Sequence, residues 1–117
     1  MKVLLLYFYD EYAWAQMSDE ERQDALRRIQ TWQEQPEHAR RILQSGEVPA
    51  EHQVVTVHLG PAGRTDQPRI ASGPFAQAPL AVGGYTVVEV ADLDEAVAWV
   101  QDFPTGGAFE IRPLVDS

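Results

Sequence analysis

Two residues have the side-chain chemistry of proton transfer at places where a strand would present them: Asp10 and His58. Asp10 ends the apolar run Val3-Leu4-Leu5-Leu6-Tyr7-Phe8-Tyr9, next to two tyrosines. A carboxylate there is a candidate general base. It is equally a turn residue that accepts backbone N–H bonds at a strand end. His58 falls on the Thr56 face of an alternating segment, and imidazole suits proton transfer near neutral pH. The plainer reading is a strand histidine bonded to its neighbours. Tyr7, Tyr9 and Ser72 are candidates for orienting a ligand. Ser72 has no Gly-x-Ser-x-Gly around it, so it is not read as a nucleophile. Phe75 follows the abrupt Gly73-Pro74 turn and is both a natural core anchor and a ligand-binding candidate.

Other chemistries are narrowed by what the chain contains. There is no cysteine, which excludes thiolate catalysis, disulfides and Cys-held metals. His38, His52 and His58 show no recognised metal spacing, and His38 and His52 read as solvated. Gly83-Gly84 lacks the third glycine and following helix of a dinucleotide site, so it reads as a bend entering a strand. Arg64, Arg69 and Arg112 could bind a carboxylate, with solvation their default. Trp14, Trp32 and Trp99 read as packing residues. No cofactor or metal is expected.

Behind these residues stand the elements that must position them. The Val3–Tyr9 run reads as a strand buried on both faces. Ser18 and Glu21 form a capping box that opens a helix whose stripe is Ala25, Leu26, Ile29 and Trp32. Pro36 ends or restarts that helix. Ala39, Ile42 and Leu43 would continue the stripe to a stop at Gly46. Val54–Leu59 alternates as a second strand, and Arg69-Ile70-Ala71 as a short one. Tyr85–Val90 is a third long strand. Asp92 and Glu95 cap a second helix with a face of Leu93, Ala96, Val97 and Val100, and Phe109–Leu114 is the last strand. The order is the βαββαβ pattern of an α+β, ferredoxin-like fold with a four-stranded antiparallel sheet.

The 117 residues fit a single domain. Nine basic against 18 acidic residues give a net charge of −9, which repels phosphate backbones and anionic membranes. No nucleic-acid or membrane partner is expected. The apolar N-terminal run stops at Asp10-Glu11 without a small-residue cleavage site, so it reads as a strand and the protein as cytoplasmic. Two helices cover one face of such a sheet, yet the first strand is apolar on both. A homodimer packed sheet face to sheet face is therefore expected. The alternative cover is the segment Arg64–Val82.

Met1–Trp14, Ser72-Gly73-Pro74-Phe75, Gly83-Gly84-Tyr85, Asp92-Leu93-Asp94-Glu95-Ala96 and Glu110-Ile111-Arg112-Pro113 together resemble the YCII-related domain family, in the branch named for its Asp-Gly-Pro-Phe motif. The resemblance implies a dimeric α+β barrel of ferredoxin-like subunits. Some members are linked to dechlorination of hydroxylated aromatics through a proposed His–Asp pair, and related barrels include lactone isomerases and small monooxygenases. Ser72 stands where the family pattern has Asp, and Gln77, Ala78, Pro79 and Leu80 replace its charged run. Two functions are open. One is a non-catalytic binding or interaction module for a small hydrophobic or aromatic ligand. The other is a cofactor-independent enzyme of hydroxylated aromatics or lactones, with Asp10 and His58 handling protons.

Overall fold

The computed structural model describes residues 1–48, 54–60, 68–75 and 79–115. His52, Arg64, Gln77 and Ala78 lie outside these. The chain opens with β1 (Lys2–Tyr9), and Asp10 then caps α1 (Glu11–Gln16) by accepting the Ala13 N–H at 3.0 Å. Ser18 and Glu21 close the capping box that starts α2 (Asp19–Glu34). After α3 (Pro36–Ala39) come β2 (Ile42–Glu47), β3 (Val55–His58), β4 (Arg69–Ser72), β5 (Ala81–Glu89), α4 (Leu93–Val100) and β6 (Ala108–Pro113). The four-stranded sheet has the order β2-β5-β1-β6, with every pair antiparallel. That is an α+β, ferredoxin-like sheet, into which the separate hairpin β3–β4 is inserted between β2 and β5.

The helices cover the face carrying Val3, Leu5, Val88 and Val90, and Trp32, Ala96 and Trp99 close this core from above. Val3, Leu5 and Val88 are completely buried. Fully burying such side chains stabilises by about 1.5–3 kcal/mol each. The register places Leu4, Leu6, Phe8, Tyr85 and Val87 on the opposite face, where Gln44 Nε2 donates to the Tyr85 hydroxyl at 2.9 Å.

Three expectations need correction. The first helix does not run to Gly46. Pro36 starts only the single turn of α3, and the chain then enters β2, which pairs with β5. Arg41 pairs with Glu95 at that entry, and its carbonyl accepts the Glu89 N–H at 2.8 Å. Satisfying both edges of the β5 backbone outweighs the helical spacing of Ala39, Ile42 and Leu43. Gly46 is a strand residue under the Tyr85 ring, where no Cβ would fit. Second, Val54–Leu59 does not join the main sheet. Its core forms β3, which among the described residues pairs only with β4. Alternation specifies a strand but not which neighbour it takes. Third, the α4 face differs in detail. Ala96 and Trp99 are buried, while Leu93 and Val97 are exposed.

The capping box yields a direct test. The Ser18 backbone N–H, and then its hydroxyl, hold the Glu21 carboxyl below its ordinary value. A lowered carboxylate stabilises above its unfolded pKa, and that contribution is lost as pH falls through the folded one. Ser18→Ala should cost about 0.5–2 kcal/mol in urea unfolding at neutral pH. Ser18→Ala keeps the backbone N–H that Glu21 accepts, so only the hydroxyl's share of the Glu21 contribution is lost, and that share of the cost should shrink in acid, where wild type has lost it too.

Candidate functional site

A cleft of about 910 Å³ opens between α1, α2 and the helix-side face of the sheet. Its sheet floor includes Tyr7, Ser45, Glu47, Gly84 and Thr86; its helix wall includes Trp14, Ala25, Ile29 and Trp32. Trp99, Phe103 and Phe109 also line it.

The tyrosines are set by backbone irregularity. The β1–β5 register shifts between Tyr7 and Phe8, opposite Gly83. A Cβ on Gly83 would sit 2.8 Å from Tyr9 Cδ1 and 3.0 Å from Tyr7 Cδ2. Glycine at this bulge therefore lets both rings lie flat over β5. Gly83-Gly84 is thus part of β5 itself and supports the cleft. The Tyr7 and Tyr9 rings stack at 6.4 Å, and Tyr9 meets Trp14 edge-on at 6.3 Å. The Tyr7 hydroxyl donates to the Gly106 carbonyl at 3.1 Å, and its ring contacts Phe103 and Phe109.

Beneath Trp32 lies a polar cluster that sequence reasoning missed. His38, expected in solvent, is 4% exposed. Its Nδ1 is 2.6 Å from the Trp32 carbonyl, which can only accept, so Nδ1 carries a proton. Its ring stacks on Trp32 at 4.2 Å, and Nε2 lies 3.6 Å from Asp102. Asp102 also accepts the Trp32 indole N–H at 2.9 Å. This cluster clamps α2 and α3 to the end of α4. Helix periodicity cannot reveal it, because the partners are far apart in sequence. Trp99 has a buried indole N–H with no hydrogen-bond partner among the described residues. Leaving such a donor unmet costs about 1–3 kcal/mol.

The structure brings some candidates together and separates others. Tyr7, Tyr9 and Asp10 line the cleft. His58, Ser72 and Phe75 belong to the hairpin region and are not among the residues lining it. Phe75 is not a core anchor: it is 79% exposed, with its ring 5.8 Å from that of His58. A Gly-Pro turn directs the chain but supplies no core to enter. Ser45 and Glu47, on the cleft floor, escaped notice because their segment has the polar look of a helix end. Among the described residues no cluster of His, Asp and Glu is arranged to hold a metal. No helix there is long and apolar enough to cross a membrane.

A comparison with curated proteins finds no match. The family comparison does, and it spans everything described above, from the β1 run through the bulge glycines to β6. The family model for the YCII-related domain matches residues 1–117, and the chain belongs to that family.

Proposed function

We propose that this protein is a non-catalytic binding domain for a small hydrophobic or aromatic ligand, in the Asp-Gly-Pro-Phe branch of its family. The observation that carries this reading is the aromatic cleft itself, walled by Tyr7, Tyr9, Trp14 and Trp32. Its volume is in the range of small-molecule sites. Catalysis has less support. Asp10 spends an oxygen capping α1 and has no histidine beside it among the residues lining the cleft. His58 lies on the other sheet. Ser72, in place of the motif's Asp, removes a further acid.

Tryptophan fluorescence reports on binding, because all three tryptophans line the cleft. Trp14→Ala is expected to weaken a binding aromatic compound by about two- to tenfold, the worth of one aromatic contact. Turnover of hydroxylated aromatics or lactones that disappears with Asp10→Asn or His58→Ala would overturn the reading in favour of an enzyme.

Homodimerisation through the open sheet face belongs to the same proposal. Leu4, Leu6, Phe8, Tyr85 and Val87 form an apolar patch there. The hairpin also exposes Val55, Val57 and Ile70 on one side. A lone two-stranded hairpin is marginal in water. The radius of gyration is 16.6 Å, above the roughly 13–14 Å of a compact chain this long. A second copy would cover both surfaces. Light scattering is expected to give twice the 13.1 kDa chain mass, and a monomer mass at micromolar concentration would refute the dimer.

A further inference from the structure

We infer that the ligand of this cleft is a cation, a protonated or quaternary amine carrying an aromatic or alkyl body; this rests on the binding reading above. The only charged residues lining the cleft are Asp10 and Glu47, and no Lys, Arg or His lines it among the described residues. The nearby arginines are committed elsewhere. Arg22 donates to the Trp14 and Ala15 carbonyls and pairs with Asp19. Arg41 pairs with Glu95, and Arg112 with Glu110.

The register puts both carboxylates around one aromatic group. Glu47 is opposite Gly84, which is opposite Tyr7. Asp10 directly follows Tyr9. Between Glu47 and the tyrosines, β5 offers only Gly83 and Gly84, with no side chain to fill the space. Both acids are exposed at the mouth, while Trp32 and Trp99 are buried inside. A cationic head meets the aromatic wall that Tyr7, Tyr9 and Trp14 contribute to the cleft, beside two carboxylates, and an apolar body fills the interior. Glu47 makes no side-chain hydrogen bond or ion pair with the described residues, so its carboxylate is available. The net charge of −9 adds a field of the same sign.

Three probes of similar size separate the possibilities: 2-phenylethylammonium, neutral 2-phenylethanol and anionic 3-phenylpropanoate. Each is titrated into the full chain, following the backbone amides of Tyr7, Tyr9, Gly83 and Gly84 by NMR. The ammonium is expected to bind about tenfold or more tighter than the alcohol, with the carboxylate weakest. Glu47→Gln should bring the ammonium down toward the alcohol, so that the ratio of their affinities falls several-fold. Glu47 lies on an edge strand, and its side chain holds nothing in place, so the variant keeps its fold. If the alcohol or the carboxylate shifts the same amides with equal or higher affinity, the cation inference fails and the binding reading stands. If no probe moves these amides at millimolar concentration, both fall.

Discussion

Replacing Trp32 with alanine is expected to cost about 3–5 kcal/mol, enough to unfold much of the population of a marginally stable domain. Trp32 is 6% exposed and sits where α2, α3 and α4 converge. Its ring contacts His38, Trp99 and Phe103 at 4.2–5.2 Å, and its indole N–H is held by Asp102. Removing it opens a cavity and strands His38 without its stacking partner. Trp32→Phe isolates the hydrogen bond. It keeps most of the ring, and because the Asp102 carboxylate is largely exposed, water replaces the lost donor, so the change should cost only about 0.5–1.5 kcal/mol. Chemical unfolding measures both. A Trp32→Ala loss below that of Trp32→Phe would mean that the three-helix junction is not the keystone described.

The second large effect is expected at Gly107. This residue has φ +98°, a region side chains rarely adopt, and a Cβ there would collide with the Phe8 carbonyl and approach Tyr7 Cε1 to 2.9 Å. The first obstacle is backbone, which cannot swing aside as a flexible side-chain tip does. Gly107→Ala should therefore cost at least about 1–3 kcal/mol from the dihedral alone. It should also push the Tyr7 ring into the cleft. Ligand binding is expected to fall together with stability. Gly73→Ala is the control. Gly73 also has a positive φ, +102°, but its Cβ would meet nothing within 4 Å and it does not line the cleft. It should be strained while keeping the cleft. Equal loss of binding in both variants would show that strain, rather than displacement of Tyr7, governs the site.

How much of this the chain announced depends on whether the signal was local. The β1 strand is legible because seven consecutive apolar residues end abruptly at Asp10, although only Val3 and Leu5 among them are fully buried within the chain. The Ser18/Glu21 and Asp92/Glu95 starts are legible because a cap is made within four residues. β5, α4 and β6 follow from period and punctuation in the same way, and with them the α+β class and three of the four strands of the sheet. The fate of 42–47 was not legible. Ile42-Leu43-Gln44-Ser45-Gly46-Glu47 fits a helix end as well as an edge strand, and only the free edge of β5, some forty residues later, decides between them. The same holds for Val55–His58, whose alternation is indifferent to partner.

For the site, the sequence by itself determined the materials. Tyr7, Tyr9 and Asp10 end the first strand, and the glycine pair comes just before Tyr85. Tertiary structure alone decided their arrangement. It set Glu47 across Gly84 from Tyr7, moved His58 out to a hairpin, buried His38 under Trp32 against Asp102, and left the Trp99 N–H without a partner. Each of these depends on contacts between residues tens of positions apart. Their energies come from which surfaces meet, and no local pattern of residue types encodes that choice.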